Sequence, residues 1–189
     1  MAIREIITLG HPTLRQKARK VTRFGPELKQ LIDDMVETMR VAPGVGLAAP
    51  QVNIPERIIV LELPADEEEG LPAELYTYVN PEIVKVSRET EAGEEGCLSI
   101  PGYLGEVDRH VEILVRGQDA YGKPQRLKAY DYLARIFQHE IDHLDGVLFI
   151  DKADPATIRK LTAEEAATAT GEAAEAAALM DRSETPAQQ

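Results

Sequence analysis

Residues 138–144 read Gln138-His139-Glu140-Ile141-Asp142-His143-Leu144. Two histidines four apart stand one above the other on a helix, so both imidazoles can grip one metal ion. The glutamate between them faces the same side and can move protons for a hydrolytic water. Around this segment Leu133, Ile136, Phe137, Ile141 and Leu144 recur at helical spacing, which predicts a helix from about Tyr132 to Leu144 with one apolar stripe. Glu140 falls inside that stripe. A solvated charged helix would carry it on the polar side, because a carboxylate on a buried face is costly unless it is paired or hydrogen-bonded.

A metal used in hydrolysis takes three protein ligands and keeps a position for water. Continuing past His143, the chain gives Leu144-Asp145-Gly146 and then Phe149. One protease group carries a third histidine where Phe149 stands. The remaining candidates are His11, His110, Cys97 and downstream acids such as Asp151. Cys97 is favoured: its thiolate is a strong ligand for zinc or iron, and Gly96 beside it allows close backbone approach. A lone cysteine is otherwise an ordinary small buried residue. His11, before Pro12, reads as a turn residue, and His110 as the opening of a strand.

Further out, Leu28, Leu31, Ile32, Met35 and Met39 predict a helix opening at Gly25-Pro26 and stopping before Pro43-Gly44. Arg57–Leu63 reads as a strand, and Asp66–Gly70 as an exposed acidic turn. Tyr76–Ser87 reads as a strand pair broken or bent at Asn80-Pro81. Val111, Ile113 and Val115 start a strand that turns at Tyr121-Gly122-Lys123 and returns through Gln125–Ala129. Helices interleave with antiparallel strands without a βαβ repeat, so the fold class is α+β. The expected division is a catalytic domain over 1–153 and an Ala/Glu-rich C-terminal tail over 154–189, helical from about Ile158 and disordered at its end.

The chain has 189 residues, enough for one domain. Its 6 Tyr, 3 Phe and no Trp leave a mainly aliphatic core and no stacking platform for bases. Lys plus Arg (21) against Asp plus Glu (33) gives a net charge of −12, against broad binding to DNA or to an anionic membrane surface. One cysteine excludes an intramolecular disulfide. The start, Met1-Ala2-Ile3-Arg4-Glu5, has charges where a signal peptide needs an apolar run. A cytoplasmic protein is expected.

Three motifs in order, Gly44-Val45-Gly46-Leu47-Ala48-Ala49-Pro50-Gln51, Glu95-Gly96-Cys97-Leu98-Ser99 and Gln138–Leu144, closely resemble those of bacterial peptide deformylases. The resemblance spans about residues 3–152, including Asn80-Pro81. It implies sheets, antiparallel or mixed, packed around a central H-E-x-x-H helix. It implies Cys97, His139 and His143 as metal ligands, Glu140 as general base and acid, and Gln51 with the Leu98 N–H as oxyanion donors. Val45, Gly46, Gly96 and Ile136 are the expected substrate contacts, with Gly44 and Gly46 leaving room for an extended peptide. The implied cofactor is one divalent metal, ferrous iron first, with nickel, cobalt or zinc as alternatives in purified protein. The implied reaction is removal of the formyl group from N-formylmethionine of new polypeptides, releasing formate, by a monomer in transient contact with the ribosome. An H-E-x-x-H metallopeptidase and a catalytically silent metal-binding scaffold are the competing readings. Two departures stand out. Leu104 replaces an arginine often found after the cysteine motif, leaving Tyr103 or Arg109 to contact substrate. Asp131 replaces a glycine at the start of the last helix, where it reads as an N-cap.

Overall fold

Ile58–Leu61 is apolar at four consecutive positions because both faces of this stretch are covered. The computed structural model describes residues 2–42, 44–65, 70, 72–162 and 165. In chain order the elements are α1 (Pro26–Val41), β1 (Gly46–Ala48), β2 (Ile58–Leu63), β3 (Glu74–Val86), β4 (Thr90–Cys97), β5 (Ile100–His110), β6 (Glu112–Gln118), β7 (Pro124–Tyr130), α2 (Asp131–Leu144) and β8 (Arg159–Lys160). Single 3-10 turns occupy Pro12–Arg15, Ala49–Val52 and Phe149–Asp151. One sheet runs β1-β2-β3-β6-β7 and the other β4-β5-β8. Every strand pair among the described residues is antiparallel, so the fold is α+β.

The alternating residues of β2 feed two cores. Ile59 and Leu61 pack with Tyr78, Val115 and the α2 residues Ile136, Phe137, Ile141 and Leu144. Ile58 and Val60 pack with Leu28, Ile32, Met35 and Met39 of α1. Helix α2 therefore lies against one face of the five-stranded sheet and α1 against the other. Phe137 has no exposed surface and meets the Tyr78 ring edge-on at 5.2 Å. On its other flank α2 packs against β5. The H-E-x-x-H helix is thus held between the two sheets. A third core of Leu14, Ile100, Val107, Leu148 and Phe149 closes the base of the smaller sheet.

Several expectations change. The expected pair over Tyr76–Ser87 is a single strand, β3 (Glu74–Val86), bent at Asn80-Pro81 with a shift in register between Val79 and Glu82. Asn80 takes a left-handed backbone (φ 54°), and its side chain bonds both the N–H and the carbonyl of Val21 at 2.9 Å. These contacts keep the bend without ending the strand. His110 closes β5 and does not open a strand. Asp131 is the first residue of α2, not its cap. It has φ 48°, and its N–H donates to the Val111 carbonyl. Glycine is at ease at such an angle, and aspartate tolerates it better than most residues.

Past residue 153 the chain still packs on the body. Arg159–Lys160 pairs with Tyr103 and Leu104 of β5, where a helix was expected. Ile158 seats in the third core, and the Leu161 N–H donates to the Gly102 carbonyl. Tertiary contacts override local helical preference here. The acidic turn at 66–69 and nearly all of the tail beyond 162 lie outside the described residues. No described helix is long and apolar enough to cross a membrane.

Candidate metal centre

Strand β4 ends on Cys97, and α2 presents His139 and His143 to it. One donor atom from each of the three lies within 4.8 Å of the others, and Cys97 Sγ stands 3.2 Å from His143 Nε2. His110, His11 and Asp151 are not part of this group. Phe149, at the position of the missing third histidine, lies nearly parallel to the His139 ring at 6.3 Å. A thiolate with two imidazoles suits zinc, iron, cobalt or nickel.

Orientation supports the fit. His139 Nδ1 lies 2.9 Å from Glu95 Oε2, which leaves Nε2 as the free donor toward the other two ligands. Glu95 in turn accepts two hydrogen bonds from Arg109 (2.8 and 2.9 Å) and one from Arg135 (3.1 Å). Arg109 continues to Asp142 at 2.6 Å. Burial pushes the Glu95 carboxyl up, yet Arg109 and His139 outweigh it and hold its pKa at about 2. It is an ionised carboxylate at the centre of a buried cationic cage.

The two histidines titrate in opposite directions. Burial lowers His139, but Cys97 and Glu95 beside it dominate and hold it at about 10. Burial and the neighbouring charge of His139 push His143 well below the ordinary value.

Glu140 projects from the same face of α2. It is 4 % exposed, its Oε2 has no hydrogen-bond partner among the described residues, and burial raises its pKa to about 7. Such a carboxyl can both accept and return a proton near neutral pH. Gly46 lets β1 pass against it: a Cβ there would meet the Glu140 carboxylate, 2.8 Å from Cδ. Gln51 has its Oε1 occupied by the Ala48 N–H at 2.8 Å, which turns Nε2 toward Cys97 Sγ (3.5 Å) and Ser99 Oγ (3.2 Å). The Leu98 N–H, in the turn after Cys97, donates to no partner among the described residues.

These groups open on a cavity of about 510 Å³ that Val45, Gly46, Gly96, Leu98 and Ile136 also line. Tyr103 and Leu104 border it as well. Arg109 does not contact substrate space: its side chain is 3 % exposed and fully engaged with Glu95 and Asp142. Reading the sequence missed the part played by Glu95. Its signal was available, since Glu95 and Cys97 are two apart on a strand and share a face. Arg109, Arg135 and Leu161 arrive from distant sequence and carried no local signal.

A cysteine sulfur and two imidazoles beside a buried carboxyl whose Oε2 has no partner among the described residues make the arrangement of a metal-dependent hydrolase. The sequence profile of the polypeptide deformylase family matches residues 3–159. The peptide deformylase of Thermomicrobium roseum is 48% identical over 171 residues, covering 89% of this chain and 97% of that protein. That of Roseiflexus castenholzii is 42% identical over 185 residues, covering 90% of this chain and all of its own length (100%). Among solved structures, the Thermotoga maritima peptide deformylase superposes with a TM-score of 0.76 at 41% identity, covering 82% of this chain and 100% of its own. The Synechococcus elongatus enzyme, solved in complex with actinonin, gives 0.73 at 45% identity, over 79% of this chain and 80% of its own. The chain belongs to the polypeptide deformylase family. It is a metal-dependent hydrolase that removes the N-terminal formyl group from nascent polypeptides.

Proposed function

We propose that Cys97, His139 and His143 hold one ferrous ion and that Glu140 is the proton carrier of the reaction. The observation that carries this is the convergence of three metal donors within 4.8 Å beside the buried Glu140 carboxyl, whose Oε2 has no hydrogen-bond partner among the described residues. A divalent ion, when bound, polarises water and the formyl oxygen. Glu140 takes the proton of the attacking water and returns it to the leaving amine; its pKa of about 7 suits both directions. Gln51 Nε2, held by the Ala48 N–H through its other end, and the Leu98 N–H donate to the oxygen on which charge develops. One such donor is worth about 3 kcal/mol of barrier. Val45, Gly46, Gly96 and Ile136 shape the wall for formylmethionine.

The ion could be nickel, cobalt or zinc by donor chemistry, and iron is preferred from the family resemblance. The enzyme works as a monomer in the cytoplasm. A net charge of −12 disfavours a standing complex with ribosomal RNA, so contact with the ribosome is brief. An H-E-x-x-H peptidase reading gives Gln51 and Cys97 no role, and a silent scaffold gives Glu140 none. The test is formate release from formyl-Met-Ala by anaerobically purified protein with its metal content measured on the same sample. Rapid release with about one iron per chain, lost on aeration as iron or Cys97 is oxidised, is expected. No release from a fully loaded sample contradicts the reading, and air-stable turnover contradicts the choice of iron.

A further inference from the structure

The strands of the smaller sheet lie side by side along the cavity. Gly96 of β4 faces Leu104 of β5, and Leu104 faces Arg159 of β8. From β8 the chain runs into Leu161, whose N–H donates to the Gly102 carbonyl at 2.9 Å. Leu161 lines the same cavity as Cys97, His139 and Glu140.

Its position is anchored on both sides. Upstream, Ile158 packs with Leu14, Ile100 and Val107. Downstream, the Thr162 N–H donates to the Glu165 carboxylate (2.7 Å), and the Glu165 N–H donates to Thr162 Oγ1 (3.3 Å). This reciprocal pair fixes the chain at Thr162. Arg159 bonds Glu165 at 2.8 Å and also reaches Glu94 on β4, tying the segment across the sheet. The wall around Leu161 includes Leu104, Pro101 and Tyr103, with Lys160 Nζ 5.9 Å from the Tyr103 ring.

We propose that Leu161, with Leu104 and Tyr103, forms a subsite for an apolar side chain two or three residues after the formylated one. The C-terminal segment of this chain thereby selects among formylated polypeptides. The assignment rests on reading Cys97, His139, His143 and Glu140 as the reaction centre. Two strand spacings of about 4.8 Å separate β4 from β8, and an extended peptide advances about 3.3 Å per residue. A substrate held at Cys97 therefore reaches Leu161 about three residues along.

The test compares kcat/KM for formyl-Met-Ala-Xaa and formyl-Met-Ala-Ala-Xaa peptides, with Xaa as Leu, Ser or Asp. The wild type should favour Leu over Ser at one of the two positions. Leu161→Ala should cut that Leu/Ser ratio about fivefold, through KM. Leu161→Lys, which a general loss of fold cannot imitate, should shift preference toward Asp. Absence of a preference in the wild type overturns the proposal. So does an unchanged ratio in Leu161→Ala, including the case where all peptides slow alike, which marks a scaffold residue. Glu140→Gln measured alongside separates the two readings. If it keeps full turnover while the Leu161 ratio shifts, the reaction centre is misplaced and the subsite stands.

Discussion

Replacing Glu95 by glutamine removes one negative charge from a point where Arg109, Arg135 and His139 converge. The side chain keeps its size, so the effect is electrostatic. Arg109 is 3% exposed and would retain only Asp142 as a charged partner. Arg135 would fall back on the carbonyls of Gly93, Val107 and Glu91. Removing one partner of a buried pair costs about 3–5 kcal/mol, and the surviving Asp142 contact places this case near about 3. For a domain of this size that lowers Tm by about 6–12 °C. The acceptor for His139 Nδ1 is also weakened, which should reduce metal affinity about 10- to 100-fold. Thermal unfolding of metal-stripped protein reads the first effect. Titration with Co2+, followed through the thiolate-to-metal absorption band, reads the second. An unchanged Tm together with unchanged Co2+ affinity would refute the view of Glu95 as the buried anchor of the site.

Gly46→Ala places a methyl group against the Glu140 carboxylate. It should lower kcat about 100-fold by misplacing that group, with circular dichroism and metal content unchanged; near-normal kcat would show that the strand yields instead. Asp34, 3% exposed, is raised by burial, but Gln30, the Ala2 N–H and Arg4 outweigh this and hold its pKa below the ordinary range. Its stabilisation is therefore complete above the unfolded value near 3.8 and fades as pH falls through the lower folded one. Asp34→Asn should lose stability at neutral pH in urea unfolding and converge with wild type in acid, and a constant difference at all pH values would contradict that assignment.

The helix bearing His139, Glu140 and His143 was legible because a 3.6-residue stripe and a misplaced acid coincide in one short segment. Strand β2 was legible for the opposite reason, a run of four apolar residues, Ile58–Leu61, that double-sided burial explains. The β4–β5 hairpin escaped: Thr90–Cys97 has acids and glycines in place of alternating apolar residues, since much of β4 is exposed. Asn80-Pro81 read as a break because its remedy, the Asn80 bonds to Val21, spans 59 residues. Cys97 as a ligand candidate followed from thiolate chemistry, while the Arg109–Glu95–His139 chain depends on three elements meeting. The strand at Arg159–Lys160 opposed local preference and is held by Ile158 and the Gly102 carbonyl. Such long-range contacts leave no pattern in a single sequence.

The most direct test of the central claim is Glu140→Gln, with metal content and formate release from formyl-Met-Ala measured on one preparation. Full metal occupancy and a loss of turnover of about 100- to 10,000-fold are expected. Undiminished formate release, or loss of the metal together with the fold, would contradict that claim.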